Sequence, residues 1–293
     1  MANAIELAKK FIPMLDEVYK LSSLTAVLDG AAELAQQGAN ANELIIPKLD
    51  MQGLGDYNRN SGYVSGDVTL TNETVKCNFD RGRMFTVDYL DNLESAGIAF
   101  GRLSGEFIRT KVVPELDAFR FATYASASGI SKVATGAALA DGAAVVAALR
   151  VAVSEMDEDE VPQTERYLFI TPTLLGMVQD MDTTKSREVL QNFAGTVKVP
   201  QTRFYTAIEQ NDGTSSGEEA GGYKKGTGAA NINFMIIHKA AVIQFQKHVA
   251  PKIISPEQNQ TADAYKFGYR NVGIADVYEN KVAGIYLHHQ AAG

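Results

Sequence analysis

Between Asp91 and Ser128 apolar side chains recur at one face's spacing. Phe100, Leu103, Phe107, Ala118, Phe121 and Ala125 stand three, four or seven residues apart, with one gap around Pro114. That spacing predicts an α-helix. Asp91 is its expected N-cap, with Glu94 three residues on as in a capping box. Gly129 is the expected stop. As one helix the stretch is roughly 55 Å long at about 1.5 Å per residue, a strut rather than an average helix. Pro114 removes a backbone donor and crowds the preceding turn, which predicts a kink or a break into two helices.

Elsewhere the pattern is more broken. Residues 1–38 predict a thin helical layer, with Phe11, Ile12 and Leu15 on one face and Leu21, Leu24, Val27 and Leu28 on a weaker one. Strand-like pieces follow at Glu43–Leu49, Gly66–Thr71 and Thr74–Phe79. The polar connection between them holds Gly53, Gly55, Gly62 and Gly66. A hairpin this polar has little with which to hold itself down, so it is either mobile or held by another subunit. Alternation then runs from Thr74 to Asp88 and leads into the long helix.

In 130–240, Leu139–Val153 predicts a buried helix started by Asp141 and Gly142, and Glu155–Glu160 a solvated acidic loop. Arg166–Thr171 predicts a buried strand. Pro172–Asp182 predicts a helix with Thr171 as N-cap and Pro172 at its first position. Val197–Phe204 and Asn231–His238 are further strands, and Gln210–Gly228 is an exposed or disordered loop. Ala241–Gln246, Val249–Ile254 and the alternating Tyr265–Arg270 are strands, with Pro251 and Pro256 at edges or turns. Tyr278–His289 reads as a turn and a final strand.

Composition narrows the function classes. The 293 residues are 45% hydrophobic and 21% charged, as in a folded domain with a sizeable core. A net charge of −8 gives no electrostatic drive toward nucleic acid or anionic lipid. Cys77 is the only cysteine, so no intrachain disulfide forms. No apolar run approaches the ~20 residues that span a bilayer, and the N-terminus lacks a signal-peptide core. A protein made and folded in a cytoplasm is expected.

Candidate chemistry is sparse. Cys77 reads as a small hydrophobe in a strand. His288 and His289 are adjacent, so on a strand their rings face opposite ways and do not share a metal. The glycine-rich Gly221–Gly228 lacks the spacing of a phosphate loop. No catalytic, cofactor-binding or metal-ligating set emerges, and no internal repeat.

Three stretches resemble the major capsid proteins of tailed bacteriophages with the HK97 fold. The first is FDRGRMFTVDYLDNLES at 79–95, followed by FIRTKVVPELDAFRFATYA at 107–125. The second is RYLFITPTLLGMV at 166–178. The third runs from Met235 to His289, with an SPEQNQTADA turn and the ending ENKVAGIYLHH. Together they cover over a third of the chain. The resemblance implies an α+β fold with an N-arm at 1–42, an extended E-loop hairpin at 43–78, a P domain at 79–129 and 241–270, and an A domain at 130–240 and 271–293. It makes the long helix the P domain's spine, with Phe100, Leu103, Phe107 and Phe121 toward its core. It places Lys48, Asp50, Tyr57, Arg59, Tyr63 and Asp67 in inter-subunit contacts.

The implied function is a coat that assembles itself from hexamers and pentamers into an icosahedral shell around double-stranded DNA, in the virion and, during assembly, the host cytoplasm. Implied partners are a separate scaffolding protein and a portal protein, with no membrane, cofactor or enzymatic activity. An encapsulin-like compartment shares the fold. From other classes, a soluble enzyme with an unrecognised site lacks motif support, and a tail or adhesion protein would show repeats or a dominant β pattern.

Overall fold

A computed structural model of the chain describes residues 23–30, 36–37, 43–60, 62–90, 98–133 and 136–291. The expected helices before residue 23 and the Asp91–Glu94 capping box lie outside them.

The strands are β1 (Gln36–Gln37), β2 (Glu43–Met51), β3 (Val68–Lys76), β4 (Phe79–Asp88), β5 (Ser131–Lys132), β6 (Arg166–Ile170), β7 (Gly195–Lys198), β8 (Ile208–Gln210), β9 (Tyr223–Lys225), β10 (Ile232–His238), β11 (Val242–Ile254), β12 (Ala264–Val277) and β13 (Ile285–His289). The helices are α1 (Ile98–Phe107), α2 (Val113–Ser126), α3 (Gly142–Glu158), α4 (Pro172–Asp180) and α5 (Thr184–Gln191). The mixture is α+β.

The largest sheet has the order β5-β13-β10-β6-β7. Its central β10 is buried at every position, as its uninterrupted apolar run requires. Alternate residues serve two layers. Met235 and Ile237 pack toward Phe121 and Tyr124 of α2. Phe234 and Ile236 pack toward Val145 and Leu149 of α3 and Leu174 of α4. A second sheet, β11-β12-β4, presents Phe267 and Tyr269 to Ile108, Val113 and Leu116. The helical rod therefore spans both sheets. The far end of β12 (Ala275, Val277) joins the core of the first sheet.

Pro114 does not break the rod. Ile108–Val112 forms a π-turn between α1 and α2, and the Val113 amide donates to the carbonyl of Ile108, five residues back. The wider turn takes up the proline ring that a tight α-turn would meet, and Pro114 falls in the first turn of α2. The rod ends at Ser126, and Gly129 (φ 87°) sits in the turn beyond it.

Other expectations need correction. Glu155–Glu158 is the last turn of α3 rather than a loop, and Asp157 pairs there with the buried Arg166 at 2.7 Å. The pieces at 241–246 and 249–254 are one strand, β11, with its register shifted between Gln246 and His248. Residues 68–76 are likewise one strand. β7 stops at Lys198, before Pro200, and a 3₁₀ turn follows. Helix α5 was not expected: Thr183 and Ser186 cap each other reciprocally. Residues 210–228 are ordered around the β8–β9 hairpin.

His288 carries a pH prediction. It stacks on Phe234 with ring centroids 4.9 Å apart, and its Nδ1 faces the Asn233 Nδ2 at 3.0 Å. That amide also donates to the Ala137 carbonyl, so Nδ1 must accept. Burial, with a smaller push from His289, lowers the imidazole pKa to about 4. The unfolded chain takes up the proton near the ordinary value of 6.5, whereas the folded chain resists until about 4. Stability present above that ordinary value is thus lost as pH falls between the two, by up to about 3 kcal/mol. Urea unfolding at pH 7 and pH 4 is expected to show a larger acid loss in the native chain than in His288→Asn. Equal losses would refute the assignment.

Candidate assembly surface

β2 and β3 form a nine-residue antiparallel ladder running from Glu43↔Lys76 to Met51↔Val68. Its root is fixed. Val75 packs against Ile243 and Ile274, and half-buried Cys77 joins that cluster. Asn78 donates to the Ala275 carbonyl at 2.7 Å and accepts from the Ala275 amide at 3.1 Å. Beside it on the open sheet face, Arg270 forks onto Asp80 at 2.6 and 2.9 Å, which raises the arginine's pKa.

The outer end is a built loop. The Gln52 amide donates to the Asp67 carbonyl, and the Asp67 amide to Gln52 Oε1. Asn58 and Gly62 exchange backbone bonds of 3.2 and 2.7 Å, and Gly62 takes the left-handed φ of 80° that the turn demands. Tyr57 and Tyr63 meet edge-on at 4.9 Å, and Val64 lies against Gly55.

Among the described residues, nothing covers this loop. Leu54 is fully exposed and Tyr63 is 90% exposed. Seven of the twelve exposed large apolar side chains among the described residues lie at the outer end of this one hairpin: Met51, Leu54, Tyr57, Tyr63, Val64, Val68 and Leu70. Apolar exposure so concentrated marks a contact surface rather than scattered surface hydrophobics.

Of the residues proposed from sequence, Tyr57, Arg59, Tyr63 and Asp67 are exposed around this tip. Only the two tyrosines are brought together. Lys48 and Asp50 lie further back on β2, opposite Thr71 and Thr69. Sequence reasoning missed Leu54, Val64, Val68 and Leu70, although apolar residues inside a glycine-rich polar stretch are a readable signal. On the rod, Phe121 is fully buried and Leu103 and Phe107 are half-buried, while the side chain of Phe100 is outside the description. Among the described residues, no group of three or more His, Cys, Asp or Glu could hold a metal, and no helix is long and apolar enough to cross a membrane.

No family model and no curated protein sequence matches the chain. Solved structures do. A structure from Mycobacterium phage Che8 superposes with a TM-score of 0.56 at 14% identity over 85% of both chains. The capsid of Cyanophage P-SCSP1u gives 0.55 at 12% identity, over 88% of this chain and 86% of that one. A virus-like particle from Pyrococcus furiosus gives 0.58 at 12% identity, over 94% and 95%. The chain has the HK97-like capsid fold. In this capsid fold the similarity spans nearly the whole chain, while identity is too low for sequence comparison to register. The apolar residues of the hairpin tip lie outside all four clusters of buried residues.

Proposed function

We propose that the chain is the major coat protein of a tailed phage, and that its copies close into an icosahedral shell around double-stranded DNA. The observation that carries this is an apolar hairpin tip that none of the described residues covers, on a fold otherwise found in capsids. In this reading residues 43–78 are the E-loop lying on the adjacent copy, and Tyr57, Arg59, Tyr63 and Asp67 are contacts there, with Lys48 and Asp50 behind them. The rod is the spine of a P domain at 79–129 and 241–270. The A domain is 130–240 with 271–293, and 1–42 is the N-arm. Hexamers and pentamers, a separate scaffolding protein and a portal protein are its partners.

The test is negative-stain electron microscopy of the expressed chain, alone and with the scaffolding protein. Closed shells, tubes or capsomer rings are expected. A variant in which a two-residue Asn-Gly turn replaces Gly53–Gly66 is expected to melt cooperatively yet stay unassembled, because Gln52 and Asp67 are already paired across the hairpin. Normal shells from that variant would sink the hairpin's role.

The Pyrococcus furiosus particle, matched over 94% of this chain, favours a second reading: a protein compartment shell. Shell diameter and contents, DNA or cargo protein, separate the two.

A further inference from the structure

Two arginines of β4 reach across to the loop between β8 and β9 and bind its backbone. Arg81 Nη2 donates to the carbonyls of Asn211 (2.7 Å) and Gly222 (3.3 Å). Arg83 donates to the carbonyls of Ala220 and Glu219, each at 2.9 Å. The loop's own acids are otherwise engaged. Asp212 accepts from the amides of Thr214 and Ser215, Glu218 from the amide of Asp212, and Glu219 from the amide of Gly217. The loop also closes on itself, through the Asn211 amide onto Gly222 and the Gly221 amide onto Glu218. It is therefore a preformed ring that the arginines fasten through its carbonyls, with Glu218 also paired to Lys224 at 3.7 Å. Gly221 (φ 67°) fits that fastening, since a Cβ there would stand 2.7 Å from Arg83 Nη1.

The fastening joins two bodies. β4 belongs to the three-stranded sheet, which carries the hairpin. The loop lies in the excursion between β7 and β10, two strands of the five-stranded sheet. Between them and the rod lies a cleft of about 520 Å³, walled by Phe79, Phe85, Leu103 and Phe107. Two imperfectly satisfied amides line it. Asn271 is 1% exposed, and among the described residues neither its Nδ2 nor its Oδ1 has a hydrogen-bond partner, nor does the Oδ1 of Asn211. A buried amide without a partner disfavours the closed arrangement, because water would satisfy it on opening.

We propose that residues 211–222 form a releasable strap. The Arg81–Arg83 clasp holds it shut over the cleft. It opens as a unit, hydrating Asn271 and freeing the hairpin-bearing sheet to change its angle to the five-stranded sheet. The strap stands on the geometry alone; its use, letting one sequence fit sites of different curvature in a closed shell, rests on the coat-protein reading.

The experiment is hydrogen–deuterium exchange, read by mass spectrometry, on the unassembled full chain. Arg83→Ala removes two guanidinium–carbonyl bonds from an exposed side chain. It is expected to speed exchange across 211–222 by about tenfold or more while peptides of β6 and β10 keep their rates. Asn271→Leu replaces the unpartnered amide with an apolar group of similar size and is expected to slow exchange across the same peptides. A purely structural Asn271 predicts the opposite sign. Unchanged loop rates in both variants, or equal acceleration of β10, would overturn the strap. The assay needs no shell, so its failure leaves the coat-protein reading standing, and a failure to assemble leaves the exchange result standing.

Discussion

Asp117→Ala is expected to destabilise the chain by about 3–5 kcal/mol, a large part of the 5–15 kcal/mol that folded domains command. Asp117 is fully buried in the middle of α2. Its carboxylate accepts from Ser23 Oγ (2.9 Å), the Leu24 amide (3.0 Å) and Thr25 Oγ1 (2.8 Å). It also pairs with Arg203 at 3.3 Å, from the turn that follows β7. One side chain thus ties the segment 23–30 and the large sheet's margin to the rod. Alanine would leave a half-buried guanidinium without its counter-charge and buried donors without an acceptor. Thermal melting is expected to fall by roughly 10 °C. Limited proteolysis is expected to cut near residues 23–30 before the core. A loss under about 1 kcal/mol would show that the hub is replaceable.

Phe121→Ala is expected to lose a similar amount, about 3–5 kcal/mol, by a different route. Phe121 is fully buried and meets Phe169 of β6 at 5.2 Å and Phe204 at 4.9 Å, both edge-on. Truncation opens a cavity where the rod meets the sheet, and close-packed walls collapse into it only in part. Phe121→Leu keeps most of the volume and is expected to lose about 1.5 kcal/mol or less. Denaturant midpoints for both variants check this. Equal losses would mean that aromatic geometry, rather than volume, sets the value.

Legibility followed the range of the interaction. β10 was plain in NINFMIIH, because a strand covered on both faces needs apolar residues throughout. The face of α2 that carries Phe121 was equally plain. Asp117 was not: an aspartate within PELDAFRF reads as surface, and its partners Ser23 and Thr25 lie over ninety residues away. The 211–222 loop read as disordered because its order comes from bonds to its own backbone and from Arg81 and Arg83, whose targets are carbonyls that every sequence possesses. Pro114 misled because a π-turn leaves no signature in residue types. In the hairpin, polar and glycine content drew the eye to Tyr57, Arg59 and Tyr63, and away from Leu54 and Val64 beside them.

The hairpin and the strap's fastening lie on one length of chain. β3 passes into β4 through Cys77 and Asn78 alone. Val68 and Arg83 are separated by roughly 50 Å of chain at about 3.3 Å per residue, in strand except at Cys77 and Asn78. Extended chain is already close to its contour limit and has almost no slack to give up. Pulled from the tip, it would load first the root, where Val75 and Asn78 tie it to β11 and β12, and then β4 with its two arginines. In the coat-protein reading, a neighbour's grip on the tip would therefore act on the root of the hairpin, beside the joint between the three-stranded and five-stranded sheets.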